Sequence, residues 1–348
     1  MGYPLKKITM ADVARLANVS KSTVSQYLNK RYEYMSEKTK KRIEKAIEEL
    51  GYQPNIVARS LKQKSTGTIG VIVFNILHLL TTQVLRAIED VCRKRDYHVI
   101  VCNSDDHPEK EKKYINMLRA KQVDGLIIFP TGKNIDIYQN MVKEQFPLVF
   151  IDRMVPGVNV DAILLDNYKA SNIAVDYFYK QGYKKISIVS PPFEQHVIPR
   201  TERIEGFQKA LSDYGLPIKE EYVVALELSS IKERLKILFT SDDPPEALFA
   251  INDLSLMEIL AFVKENHLRV PEDVAIISID DVPFASIFTP ALSTIAQPTF
   301  EMGEKAADRL FEQITQKNQH VPKLLRFQPT LIERDSAKRL TNKRGKVM

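Results

Sequence analysis

A chain of 348 residues, 44% hydrophobic and 27% charged, is long enough for two or three domains with their own cores and ordinary enough to be a folded globular protein. It has no run of eighteen apolar residues, which excludes a helical membrane span, and the opening MGYPLKKITM lacks the apolar core of a signal peptide. Charge is unevenly placed: residues 1–64 carry 14 Lys/Arg against 6 Asp/Glu, a net of +8, so the rest of a chain of net +6 holds −2, and a basic head on a near-neutral body points to a polyanion partner for the head alone.

Three short helical patterns fill that head. The first starts at Thr9, with Asp12 three residues later in a capping-box arrangement, and places Val13, Leu16 and Ala17 at helical spacing. Asn18 suits a left-handed turn, and Ser20 is a good N-cap for a second helix carrying Val24, Tyr27 and Leu28. Ser36 caps a third, whose Ile43, Ile47 and Leu50 form an apolar stripe that Gly51 ends. Beyond it, Pro54 stands where a first helical turn accepts proline, so Pro54 to about Lys62 is expected to form a short helix that needs support.

From Thr68 the texture changes. Apolar runs (TIGVIVF, YHVIVCN, DGLIIFP, PLVFID, DAILLD, KISIVS, EALFAIN and DVAIISID) alternate with amphipathic stretches such as TTQVLRAIEDVCRKR and LMEILAFVKEN. That alternation predicts βαβ units around parallel sheets covered on both faces, in two successive sets and so two lobes. Polar residues close many of the runs: Asn75, Asn103, Asp152, Asp166, Ser190, Asn252 and Asp280. Ligands of open α/β sheets sit beyond the carboxyl ends of the strands, so these positions point to a cleft, although each alone also suits a turn. The two cysteines, Cys92 and Cys102, read as buried thiols of a reducing, cytoplasmic compartment.

A helix, a tight turn and a second helix with small polar outward residues make a helix-turn-helix, whose second helix enters the major groove of double-stranded DNA. In VSKSTVSQYLN the side chains of Val24 and Leu28 turn inward onto Val13, Leu16 and the third helix. Lys21, Ser22 and Gln26 are the expected base readers, while Thr9, Ser20, Thr23, Ser25 and Asn29 are expected against phosphates. A three-helix protein-interaction module is the competing reading of the same pattern.

The stretch ITMADVARLANVSKSTVSQYLN, followed by GYQPNIVARSLK and TIGVIV, resembles the lac-repressor (LacI–GalR) family of bacterial transcription regulators. VDGLIIFP, IDR, LDN, RIEGFQKAL, FAINDL, VPEDVAIISIDD and QPTFEMGEKAADRL extend the likeness, in order, over the rest of the chain. The resemblance implies an all-α DNA-binding head of residues 1–53, a hinge helix and linker at 54–66, and a two-lobed, doubly wound, periplasmic-binding-protein-like effector and dimerisation domain at 67–335. Residues 336–348, which end in KRLTNKRGKVM, read separately as a basic disordered tail. The resemblance implies further that Leu61, with Ala58 beside it, wedges into the minor groove, that Arg59 lies against phosphate, and that a homodimer reads a near-palindromic operator. Effector contacts would fall at Asp152 or Arg153, Arg203, Asn252 and Asp280.

Two departures from the family pattern concern the effector. FNILHLLTTQV puts Asn75 where a carboxylate is usual and adds His78, and IPRTER places Arg200 near Arg203, with Arg153 also a candidate for the cleft. Several guanidiniums suit a carboxylate or phosphate, which points to a sugar acid resembling ketodeoxygluconate, as does a weaker likeness to that branch of the family. The same arginines could instead pair with Asp152, Glu202 or Glu205. The expectation is a repressor of carbohydrate catabolism released by a small sugar or sugar acid. An enzyme or a cytosolic sugar-binding protein is the rival. The six histidines show no metal spacing, and neither a nucleophile elbow nor a dinucleotide fingerprint occurs, so no catalysis, metal or cofactor is expected.

Overall fold

The computed structural model describes residues 8–53, 65–192, 198–316 and 320–339. The expected hinge helix, with Ala58, Arg59 and Leu61, lies outside the described residues. The chain divides into two compact units, Met1–Thr66 and Gly67–Met348.

The first unit holds α1 (Met10–Leu16), α2 (Lys21–Leu28) and α3 (Glu37–Leu50). Local chemistry starts and stops each one. The Asp12 carboxylate accepts the Thr9 backbone N–H at 3.0 Å, Ser20 Oγ accepts from Thr23 N at 3.1 Å, and Ser36 Oγ accepts from Thr39 N at 3.3 Å. Asn18 turns the chain between α1 and α2 with φ 52°, and Gly51 ends α3 with φ 58°. The core is Val13, Ala14, Ala17, Val24, Ile43, Ala46 and Tyr52. Leu16, expected inside, is 46% exposed. Val13 and Ala17 define the buried stripe one turn apart with Ala14 beside them, and Leu16 falls on its flank, along an open groove with Ile8 and Leu50.

The second unit consists of two lobes. The first contains β1 (Thr68–Val73), α4 (Leu79–Lys94), β2 (His98–Asn103), α5 (Pro108–Ala120), β3 (Gly125–Ile128), α6 (Ile135–Lys143), β4 (Leu148–Ile151) and β5 (Asp161–Leu165). The second follows with α7 (Asn167–Lys180), β6 (Ile186–Ser190), α8 (Ile198–Asp213), β7 (Val223–Ala225), α9 (Leu228–Phe239), β8 (Ala247–Ala250), α10 (Asp253–Glu265), β9 (Ala275–Ile279) and β10 (Ser293–Ala296). The chain then returns through α11 (Thr299–Thr315) to β11 (Leu324–Phe327) in the first lobe, and crosses once more to β12 (Thr330–Ile332) in the second.

Strand order is β11-β5-β4-β3-β1-β2 in one sheet and β12-β10-β9-β8-β6-β7 in the other. Central strands such as β3 and β4 are buried at every position, which is why they read as unbroken apolar runs. All neighbours run parallel except β12, which is antiparallel to β10. Topology explains that exception. The first two crossings between lobes pass through α7 and α11, which carry the chain back to the amino end of the next sheet. The third goes directly from β11 to β12, so the strand enters from the carboxyl end and runs the other way. Among the described residues no helix is long and apolar enough to cross a membrane.

The expectation of a disordered tail from residue 336 is corrected at its start. Ser336 and Ala337 are buried; Ser336 Oγ donates to Ile276 O at 2.6 Å and accepts from Ser293 N at 2.8 Å. One hydroxyl thereby satisfies two backbone groups of adjacent strands, which ties the segment down. Residues 340–348 lie outside the described residues.

Candidate nucleic-acid interface and ligand cleft

On α2 the side chains of Lys21, Ser22 and Gln26 are exposed, with Ser22 and Gln26 one turn apart on one face. Val24 on the opposite face is fully buried. The hydroxyls expected at phosphates already work within the head: Ser20 Oγ lies 2.6 Å from Ser22 Oγ and 2.8 Å from Thr23 Oγ1, and Asn29 Nδ2 donates to Ser25 O at 2.7 Å. Thr9 Oγ1 donates to the Asp12 carboxylate at 2.7 Å. A residue that sequence reasoning missed, Arg42 of α3, holds the turn between α1 and α2: its Nε donates to Ala17 O at 3.0 Å and its Nη2 to Asn18 O at 2.5 Å. The outward face of α2 is therefore presented on a turn clamped from behind.

In the second unit the carboxyl ends of the two sheets meet. Asp152 follows β4 and Asp280 follows β9, each at positive φ, 65° and 78°, a conformation that Asp tolerates better than most residues. Both carboxylates are buried, as are His78, Arg153, Arg203 and Asp253. Arg203 Nε donates to Asn167 Oδ1 at 2.8 Å and Nη1 to Ile251 O at 2.7 Å. The Arg153 guanidinium donates to both oxygens of Asp106, at 2.6 and 3.1 Å, and stacks 4.6 Å above the Phe74 ring. Its Nε stands 3.7 Å from Asp152 without a hydrogen bond of its own.

The lobes touch through Asp253, which sequence reasoning passed over although it directly follows Asn252. His78 Nδ1 lies 2.7 Å from Asp253 Oδ1, and Leu79 N donates to Oδ2 at 2.9 Å. One carboxylate thus sits at the N-termini of two helices, α4 of the first lobe and α10 of the second, where both dipoles favour negative charge. Leu79 packs against the apolar core of the second lobe beside it.

Electrostatics separates the carboxylates. Burial pushes the Asp280 carboxyl up to about 6, with the charge of Asp253 adding to it, against the pull of Arg203 and of the Gln297 Nε2 donor at 2.7 Å. Asp152 is likewise raised by burial, with Arg153 and then Arg203 opposing. For Asp253 burial is the largest influence and acts upward, but the His78 hydrogen bond and charge and the backbone donors outweigh it and hold the carboxyl below its usual range.

The structure therefore brings His78, Asp152, Arg153, Arg203 and Asp280 to one place and gives other expected residues local work. Asn75 Oδ1 accepts from Leu77 N at 2.9 Å, Asn252 Oδ1 caps α10 from Ser255 N at 2.9 Å, and Arg200 donates to Pro192 O at 3.2 Å. The alternative ion pairing of the arginines is met in part, since Arg153 stands beside Asp152 although its main partner is Asp106. Glu202 binds Arg326, at 2.6 Å, and Glu205 accepts from the Tyr168 hydroxyl. Gln297, which was not singled out, follows β10, a strand too short to announce itself in the sequence.

Comparison with known proteins agrees with this arrangement of parts. Residues 9–55 match the family described as bacterial regulatory proteins, lacI family, and residues 175–337 match a periplasmic binding protein-like domain. The chain is 46% identical over 336 residues to the "Probable HTH-type transcriptional regulator EndR" of Paenibacillus polymyxa, covering 95% of this chain and 99% of that one. It is 32% identical over 337 residues to the HTH-type transcriptional regulator KdgR of Bacillus subtilis (strain 168), covering 94% and 97%. The fold is shared with the lac repressor dimer bound to operator and the anti-inducer ONPF, at TM-score 0.81, 24% identity and coverage of 95% and 99%.

Proposed function

Because the chain belongs to the lacI family of bacterial regulatory proteins, we propose that it is a DNA-binding repressor whose cleft takes a small polyhydroxylated effector. The observation that carries the effector reading is the convergence of Asp152 from the first lobe with Arg203, Asp253 and Asp280 from the second. Carboxylates accept from sugar hydroxyls and a guanidinium donates to a sugar oxygen, so a ligand held by both lobes would set the angle between them. Asp152, Arg203 and Asp280 are the proposed direct contacts. Arg153, occupied by Asp106 and Phe74, serves to hold Asp152, and Asn75, His78, Arg200 and Asn252 shape the rim.

The finer proposal is a sugar acid of the ketodeoxygluconate type, its carboxylate on the edge of Arg203 that no protein acceptor occupies among the described residues. On the DNA side, Lys21, Ser22 and Gln26 read bases, with Thr9, Ser20, Thr23, Ser25 and Asn29 at the backbone; Ala58, Arg59 and Leu61 belong to the proposed hinge. Homodimerisation is supported by an apolar groove of about 910 Å³ lined by Met257, Leu260, Phe284, Ile287 and Phe288. The reading places the protein in the cytoplasm, with its operator.

A thermal-shift panel on the full chain tests the effector: ketodeoxygluconate and galacturonate, glucose and cellobiose, and glucose 6-phosphate. A ligand at one hundred times its Kd adds about 2.7 kcal/mol, which raises the midpoint of a domain this size by several degrees. A shift with the acids alone supports the finer proposal; a shift with neutral sugars alone removes it and keeps the cleft. No shift with any of the five rejects the sugar reading. Loss of operator retention on adding the active ligand establishes release, and tighter retention reverses the sign.

A further inference from the structure

Arg203 is held from behind by a chain of hydrogen bonds that leads out of the cleft and into the other lobe. Its Nε donates to Asn167 Oδ1 at 2.8 Å, and Asn167 Nδ2 donates in turn to Glu202 Oε2 at 2.8 Å. Glu202 is gripped by Arg326 through two parallel bonds, Nη1 to Oε2 at 3.0 Å and Nη2 to Oε1 at 2.6 Å. Asn167 opens α7 just after the first crossing between lobes, and Glu202 sits on α8 of the second lobe. Arg326 lies on β11 of the first lobe, where Nη1 also reaches Leu165 O at 3.2 Å.

The chemistry of this chain has one polarity. A carboxylate only accepts, so the Asn167 amide must turn its NH2 toward Glu202; a guanidinium only donates, so Arg203 must meet the Asn167 oxygen. Asn167 is 1% exposed and Glu202 8%, so water does not substitute readily for either partner. Remove the carboxylate and the amide loses the group that orients it.

We propose that Glu202 is a positioning residue: fastened to the first lobe by Arg326, it orients Asn167 and thereby fixes the Arg203 guanidinium in the cleft. The step from that guanidinium to effector binding rests on the reading of the cleft given above. It follows that the setting of Arg203 and one of the bridges between the lobes depend on the same carboxylate, so a ligand pulling on Arg203 is felt at β11. Glu202 itself touches no effector.

The test reads the Arg203 Nε proton in the full-length protein labelled with 15N-arginine, its resonance assigned by absence in Arg203→Lys. Glu202→Met should speed exchange of that proton by at least about tenfold, the weight of one charge-assisted hydrogen bond, while the thermal midpoint reports a folded chain. Glu205→Gln, on the same helix and bonded to the Tyr168 hydroxyl, should leave the exchange unchanged. Equal exchange in Glu202→Met and wild type overturns the proposal, as does an equal acceleration in Glu205→Gln. If Glu202→Met does not fold, Arg326→Gln replaces it; its side chain is 31% exposed, and loosening Glu202 should again speed the proton. Galacturonate and cellobiose titrated into the same samples separate the two questions. Binding of neither to wild type counts against the cleft reading, while the exchange rates alone decide the relay.

Discussion

Asp280 ties proton uptake to the proposed effector. Its carboxyl, pushed up to about 6 by burial and then by Asp253, is protonated in the folded chain over a range where the unfolded chain has already released the proton. Between about pH 4 and 6 the native state binds more protons, so stability falls as pH rises, by roughly 3 kcal/mol in all. Urea unfolding of Asp280→Asn should lack that decline and show a flatter profile than wild type. Ligand affinity should carry the same signature with a sign that reports ligand class. A sugar acid meets less negative charge when Asp280 is protonated, so its affinity should fall as pH rises through 6. A neutral sugar donating a hydroxyl to the carboxylate should gain affinity over the same interval. Calorimetric titration at pH 5 and 7.5 separates the two, and Asp280→Asn should abolish either trend.

Helices α7 and α8 approach closely because position 206 has no side chain. A Cβ there would stand 2.9 Å from Tyr168 Cα and 3.1 Å from Tyr168 O, both backbone atoms that cannot swing aside. Gly206→Ala should therefore force the helices apart and destabilise the unit by about 1–3 kcal/mol, read as a lower urea midpoint. The same packing carries Asn167 and Glu202, so the substitution should also disturb the relay to Arg203. Strand ends show a related economy. Asp152 and Asp280 take left-handed backbone at the carboxyl ends of β4 and β9, which turns the chain away and leaves their carboxylates in the cleft.

Across the whole chain, charge and function are assigned to separate units. The head carries the net positive charge and the second unit is slightly negative, so DNA affinity should fall steeply with salt, with a slope set by the number of phosphates neutralised. Gln26→Ala should cost about 1–3 kcal/mol on the preferred operator, relax preference at one base pair and leave the salt slope unchanged. Uniform weakening on all sequences, measured by fluorescence anisotropy, would instead assign Gln26 to the backbone. The two lobes of the second unit are joined by three chain crossings and bridged by His78–Asp253 and Glu202–Arg326.

Much of this was legible in the residues themselves, and the division follows the range of the interactions. Caps and turns are set within four residues, so Thr9, Asn18, Ser20, Ser36 and Gly51 marked the helices of the head correctly. The long apolar runs likewise announced the central strands. Leu16 was placed on the wrong side because a seven-residue helix leaves its buried face to be settled by its neighbours. Short strands such as β7, β10 and β11 carry too few apolar residues to signal, and the direction of β12 follows only from how the chain crosses between lobes. In the cleft, the sequence determined which polar residues stand at strand ends. The tertiary structure decided their partners, joining Asp106 to Arg153, Glu202 to Arg326 and His78 to Asp253 across 47, 124 and 175 residues. Periodicity and capping act along the chain and can be read from it; ion pairs between distant segments form only once packing has brought those segments together.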